Sequence, residues 1–432
     1  MKMANMDDYF DVVIVGTGAA GLYCALNLPA RYRILLLTKQ KADESDSFLA
    51  QGGICMQHGE ADYRPFFDDT MRAGHYENNP ATVDLMIRSS NSIIRDLVRR
   101  GVRFARDDNG ALRFTREGAH SRPRILFHED ITGHEITQTL LNEVLRCENI
   151  ELREHTTLLD FFADASACGG VIAVGPDGEP RAIGAGSVVL ACGGIGGLYK
   201  NSTNFPHITG DAIAMALRHG VACEHLDYIQ IHPTTLYSHR KGRRFLISES
   251  VRGEGALLLD KNGNRFTNEL QPRDVVSAAI RAQMEKDGTD HVWEDMRPIG
   301  EAAIREHFPN ILERCEEEGY DPIHEPIPVV PAQHYFMGGI TADLSSRTAL
   351  PRLYACGETC CNGVHGRNRL ASNSLLESLV FAQRAADDIL YGEPPVFTGD
   401  KPDLAPYREQ EPLFAAYRQE VLTAIERSKN HE

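Results

Sequence analysis

A mostly apolar run opens the pattern of the chain: Tyr9 to Val15 is mostly β-branched and interrupted only by Asp11, without the alternation of a half-exposed strand. Such a run predicts a strand buried on both faces in a parallel sheet. Gly16-Thr17-Gly18-Ala19-Ala20-Gly21 follows, then a helical stretch from Leu22 to Leu28 and a second apolar run from Arg33 to Thr38. Strand, glycine turn, helix and strand make one βαβ unit. After a loop-rich stretch holding Ala50-Gln51-Gly52-Gly53, the spacing of Val83, Ile87, Ile94 and Val98 predicts a helix over Pro80 to Arg99. Another helix spans Ile136 to Cys147, with strands near Leu152 and at Val171 to Val174. Ser187 to Ala191 is again a buried-strand run, and Pro176-Asp177-Gly178 predicts the hairpin turn before it.

From Asp227 to Ile340 the pattern shifts to short strands, basic loops and a helix near Asp274 to Lys286. Near Arg352 the earlier style resumes, with Leu353 to Glu358 as a strand end and a helix beginning near Ser374. The pattern predicts an α/β protein whose Rossmann-like cofactor domain is split in sequence, 1–226 and 342–392. An α+β capping domain, 227–341, is inserted between the halves, and a short helical tail, 393–432, ends in a helix around Leu413 to Arg427. No internal repeat is visible.

Composition narrows the function. A formal charge of −16 argues against a nucleic-acid partner, because phosphate binding requires a basic face. It leaves an anionic small substrate open, since a few buried arginines set the field inside a cleft. Ten scattered cysteines form no CxxC pair and no metal-like array, so reduced thiols are expected and no metal. Adjacent Cys360 and Cys361 read as two small residues in a loop. The uncharged stretch Val12 to Leu28 is preceded by Asp7, Asp8 and Asp11, where a signal peptide carries basic charge. No stretch approaches the roughly eighteen apolar residues of a membrane helix. A soluble, cytoplasmic protein is expected.

The glycines of G-x-G-x-x-G permit a tight turn and turn backbone N–H groups and a helix N-terminus toward a pyrophosphate. The acid that would take a ribose hydroxyl at the end of the second strand is missing; Thr38-Lys39 stands there. By this motif alone NAD, NADP and FAD all remain open.

Nine dispersed motifs go further: GTGAAG at Gly16, AQGGI at Ala50, TREGAHS at Thr115, TGDAIAMA at Thr209, IHPT at Ile231, RGEGA at Arg252, PRD at Pro272, HY..GG at His334 and NRLASNSLLE at Asn368. In these the chain resembles the succinate dehydrogenase/fumarate reductase flavoprotein family from about Asp11 to Leu390, and within it the branch that oxidises L-aspartate. The resemblance implies FAD on Gly16, Gly18, Ala19, Ala20 and Gly21, with Lys39, Ser45, Ser47, Ala50, Gln51, Gly52 and Gly53 along it. Asp211, Glu358, Ser374 and Leu375 are implied as further cofactor contacts. Membrane-complex members attach FAD through a histidine four residues before the alanine of AQGG; Asp46 stands at that position, which implies non-covalent FAD.

Removing two hydrogens beside a carboxylate requires carboxylate anchors, an acid/base group and a correctly placed electron acceptor. The resemblance implies His232, Ser248, His334 and Arg369 as anchors, Ser248 standing where relatives carry threonine. It implies Arg273 at the reacting carbons, modulated by Glu249 and Arg252. Whether Arg273 moves protons or only polarises and positions is open at this stage, because a free guanidinium stays protonated. Glu117 offers a carboxylate suited to an α-ammonium group; the alternative is an ion pair with Arg116, Arg122 or Arg124. Three departures stand out: a tail too short for the helical C-terminal domain of longer members, Ala279 where relatives often have arginine, and Arg367 in place of a small residue.

The expected reaction is FAD-dependent oxidation of L-aspartate to iminoaspartate, with O2 (giving H2O2) or fumarate as acceptor. The resemblance places it first in NAD biosynthesis by way of quinolinate, with functional coupling to quinolinate synthase. A soluble fumarate reductase or succinate-oxidising flavoprotein is the alternative, and a catalytically silent flavin-binding protein a third.

Overall fold

The computed structural model describes residues 8–240, 242–392, 395 and 397–430. Asp7 and the two bounds of the expected tail, Glu393 and Glu432, lie outside them. The first apolar run forms the strand Tyr9–Val15, central to a seven-stranded sheet. It pairs in parallel with Ile34–Leu37 on one side and Pro180–Leu190 on the other, in registers Val12 to Ile34 and Val12 to Ser187. Ile150–Arg153 extends one edge in parallel. Pro180–Leu190 folds back on Cys168–Val174 as an antiparallel hairpin whose turn residue Gly178 has φ 78°, as the Pro-Asp-Gly sequence requires. Much later in the chain, Leu353–Ala355 returns to pair in parallel with Pro180–Leu190, in register Leu353 to Val188. Buried aliphatic side chains cover both faces of this sheet.

Helices begin earlier than the apolar periodicity indicates. The first spans Ala19–Asn27, so the last three residues of the glycine motif form its opening turn, closed by Leu22 N–H to Gly18 O at 3.1 Å. Another spans Thr132–Val144, because Thr132 Oγ1 donates to Gly52 O and Gly133 leaves room for Ser47 O, 2.1 Å from where its Cβ would stand. Both starts are set by contacts with the loop at 45–53, which periodicity does not register. The long helices Pro80–Arg100 and Asn373–Tyr391 pack on Ala19–Asn27 and one another in a single core.

A separate four-stranded antiparallel sheet lies within 227–341, in the order Ile229–Leu236, Ile327–Phe336, Val292–Asp295, Leu257–Leu259. It has its own core, in which Val276 and Ile280 of the helix Arg273–Asp287 meet Leu236, Leu258 and Val329. The C-terminal helix Gln410–Lys429 buries Tyr417, Val421 and Ile425 against the helix Asp211–Arg218 and the larger sheet. No described helix is long and apolar enough to cross a membrane. All ten cysteines are free. Cys360 and Cys361 correct the expectation of a loop: they form a buried strand, held because Gly339–Thr341 pairs with it in parallel.

Candidate active site

A deep cleft lies where the carboxyl ends of the parallel strands face the four-stranded sheet. Val15 to Gly18, Leu37 to Lys39, Ala191 to Gly193 and Cys356 to Glu358 form one wall, and His232, Ser248, Glu249, Arg273 and His334 the other. Ligands of open α/β sheets bind at this place, outside the strand ends.

At the strand end of the cleft, Gly16 turns at φ 114°, and a Cβ on it would stand 2.0 Å from Ala191 O. Gly21 lets helix and turn meet, a Cβ there falling 1.9 Å from Gly16 O. Ser47 Oγ accepts from Ala19 N–H at 3.0 Å, tying the loop to the helix N-terminus. Ala19 and Gly21 thus act behind the wall and do not line the cleft, whereas Gly16, Gly18 and Ala20 do. Lys39, Ser45, Ser47, Ala50, Gln51, Gly52, Gly53, Asp211, Glu358, Ser374 and Leu375 all line it. Lys39 is neutralised by Asp211 at 2.7 Å and also donates to His207 O, so these two shape the wall as a pair. Glu358 Oε1 accepts from Phe336 N–H at 3.0 Å, and burial with Asp46 nearby pushes its carboxyl well above the usual range.

At the opposite end the catalytic candidates converge. Arg273 is the first residue of its helix; its Nε donates to Glu249 Oε2 at 2.5 Å and its Nη1 to Gln230 Oε1 at 2.9 Å. Burial pushes the Glu249 carboxyl up, but Arg273 and Arg252 outweigh it and hold the group below its ordinary value. Arg369 donates through Nη1 to Ser374 Oγ at 2.8 Å and lies over the Tyr335 ring. Burial and the facing Arg273 pull Arg369 down to about 10. The His232 and His334 rings stand edge to face, centroids 5.1 Å apart, and burial next to Arg273 keeps both neutral. Thr203 Oγ1 fixes His334 Nδ1 at 2.7 Å, while Thr234 O and N–H both lie within reach of His232 Nδ1. Ser248 caps the helix Glu249–Gly253.

Glu117 is 3% exposed, and hydroxyls rather than cations hold its oxygens: Ser250 Oγ donates to Oε1 at 2.8 Å and Ser372 Oγ to Oε2 at 2.6 Å. Among the described residues Arg116, Arg122 and Arg124 form no ion pair with Glu117. Arg124 is committed to Asp62 and Asp69, and Arg122 donates to Ala61 O.

A profile of the FAD binding domain family matches residues 11–375. L-aspartate oxidase of Clostridium perfringens is 48% identical over 380 residues, 88% of this chain and 86% of its own. The Nostoc enzyme of the same name is 44% identical over 441 residues, 98% of this chain and 76% of its own. The chain belongs to the L-aspartate oxidase family. Its fold is shared with an E. coli quinol fumarate reductase, 30% identical with TM-score 0.83, covering 94% of this chain and 74% of that one.

FAD is the cofactor of this family, and the cleft fits it. Thr17 Oγ1, Ser45 Oγ and Gln51 Oε1 are buried without partners beside the glycine turn. Each such orphan costs about 1–3 kcal/mol, which phosphate, ribose or ring atoms of a ligand would relieve. The first turn of the helix Asn373–Tyr391 has no side-chain cap and leaves N–H groups for an electron-rich ring edge. Asp46 sits on the cleft wall with Oδ1 taken by Phe205 N–H and Oδ2 unpartnered; burial raises it to about 7.

Sequence reasoning missed Gln230, Ser250, Ser372 and Thr203, which orient the aspartate oxidase candidates rather than replace them. Gln230 stands two residues before His232, and an alternating strand places both on one face. Ser372 lies within NRLASNSLLE, and its left-handed φ of 61° is a local sign of constraint. Among the described residues no cluster could hold a metal ion.

Proposed function

We propose that this protein oxidises L-aspartate to iminoaspartate with non-covalent FAD, reoxidised by O2 or fumarate. The carrying observation is the buried Glu117 carboxyl, held by two hydroxyls and in no ion pair, within the same cleft as Arg273, Arg369 and two neutral histidines. A carboxylate buried beside two substrate carboxylates is costly unless a cation pairs with it. The α-ammonium of aspartate supplies that cation, and succinate has none. Curated relatives at 42–48% identity, named L-aspartate oxidase, support the reading.

In this reading Arg369 and the two histidines take the substrate carboxylates. Arg369 Nε and His232 Nε2 are buried without partners, and a carboxylate satisfies both if the His232 proton sits on Nε2. Thr234 accommodates either tautomer, its N–H 3.2 Å and its carbonyl oxygen 2.9 Å from Nδ1, so a carboxylate at Nε2 selects the Nε2–H form. Ser248 adds a hydroxyl when its single proton turns from Ser250 Oγ to the substrate. Arg273, fixed by Glu249 and Gln230, faces the reacting carbons and holds or moves the proton exchanged there. FAD, when bound, supplies the two-electron acceptor. Closing the cleft around these groups excludes water and strengthens each charge pair. The Asp46 carboxyl, in place of a nucleophilic imidazole, supports non-covalent attachment. Iminoaspartate is consumed in quinolinate formation, which makes coupling to quinolinate synthase a consequence of the same reading.

The test is aerobic turnover of the flavin-loaded protein with L-aspartate and with succinate, following peroxide and the oxaloacetate and ammonia formed as iminoaspartate hydrolyses. Aspartate alone should give all three. Turnover of succinate with none from aspartate would instead establish the fumarate reductase alternative.

A further inference from the structure

Glu117 joins three segments far apart in the chain. Its own loop packs on the helix Glu249–Gly253, where a Cβ on Gly253 would stand 2.7 Å from Arg116 O. From that helix Ser250 Oγ donates to Oε1, and from the cap of Asn373–Tyr391 Ser372 Oγ donates to Oε2. A hydroxyl has one proton to give. That of Ser250 is committed to Glu117, and its lone pair accepts from Ser248 Oγ at 3.2 Å. Ser248 Oγ in turn accepts from Ser250 N–H at 3.2 Å, so the Ser250 side chain is locked at both ends. Ser372 is fixed by its backbone, a left-handed serine at the start of a long helix.

The charged and titratable groups facing Glu117 are Glu249 and Arg273 on the cap and the fully buried Cys55. Burial and Glu249 push the carboxyl up; Ser372, Arg273 and Ser250 oppose them, leaving it above its ordinary value. Hydrogen bonds donated to a carboxylate favour its ionised form. Arg273 already has Glu249 as its partner, so the hydroxyls are the groups dedicated to Glu117.

We infer that Ser250, together with Ser372, is a positioning residue for substrate selection: the two hydroxyls keep Glu117 ionised and aimed in one direction, ready for an α-ammonium group. This rests on the reading that Glu117 meets the substrate amine. Without the Ser250 hydroxyl, Oε1 is buried with no donor, the neutral acid is favoured, and the ammonium loses its counterion. A dicarboxylate lacking an amine has nothing to lose by this route.

The experiment compares flavin-loaded wild type, Ser250→Ala and Ser250→Thr in two assays, L-aspartate oxidation and fumarate reduction by a reduced dye, across pH. In Ser250→Ala the KM for aspartate should rise about tenfold or more, the worth of one hydrogen bond to a charged group. The acid limb of its kcat/KM should move to higher pH, while fumarate kcat/KM changes far less. Ser250→Thr should restore both. If Ser250→Ala loses its flavin, Ser250→Cys, of similar volume and weak donor strength, carries the same test. An unmoved acid limb with an unchanged aspartate-to-fumarate ratio overturns the inference, as does an equal fall in both assays. If wild type itself fails to oxidise aspartate, the underlying reading fails first and the inference with it.

Discussion

A Cβ on Gly52 would stand 2.2 Å from Glu117 Oε1, so a glycine of the cofactor loop and the acid of the substrate site share one space. The two are coupled sterically, since Glu117 is locked by Ser250 and Ser372 and cannot swing aside without losing both bonds. Gly52→Ala should therefore reduce kcat/KM for aspartate by about tenfold or more through loss of those bonds. Steady-state kinetics check this; a wild-type KM in the alanine variant would show that the acid has room to move.

Arg273→Leu removes the group placed at the reacting carbons and should lower kcat by at least about a hundredfold, the ordinary worth of a positioned acid/base group. Flavin should stay bound, because Arg273 contacts Glu249 and Gln230 rather than the glycine turn. Flavin absorbance and single-turnover rates separate the two effects. A kcat near wild type would refute the role.

Glu117 must be ionised to pair with an ammonium group. Burial and Glu249 raise its pKa, so as pH falls the aspartate kcat/KM should collapse above the range of an ordinary carboxylate. Glu117→Gln should lower kcat/KM at neutral pH and abolish that acid limb, leaving a flatter profile. A limb that persists in the glutamine variant belongs to another group.

Acid precipitation of the flavin-loaded protein should leave a yellow supernatant and a colourless pellet, since Asp46 offers no imidazole for attachment. Returning FAD at a hundred times its Kd should stabilise the stripped protein by about 2.7 kcal/mol, read as a rise in Tm. Flavin fluorescence remaining with the denatured chain would contradict non-covalent binding.

What the sequence revealed follows from the range of each interaction. The strand Tyr9–Val15 and the Gly178 hairpin were legible because burial on both faces and a turn with positive φ leave marks within a few residues. Arg273, His232, His334 and Arg369 were legible through motif resemblance, and the cleft does bring them together. The helix starts at Ala19 and Thr132 were not, because a loop elsewhere fixes them. Nor was the Glu117–Ser372 bond, which spans 255 positions and depends on one serine held in a left-handed turn. Cys360 and Cys361 read as a loop because so short a strand exists only through its neighbour.

Anaerobic titration of the flavin-loaded protein with L-aspartate, and separately with succinate, tests the central claim most directly. The account predicts that aspartate bleaches the oxidised flavin band and that succinate does so weakly or not at all. Bleaching by succinate while aspartate leaves the protein yellow would contradict it.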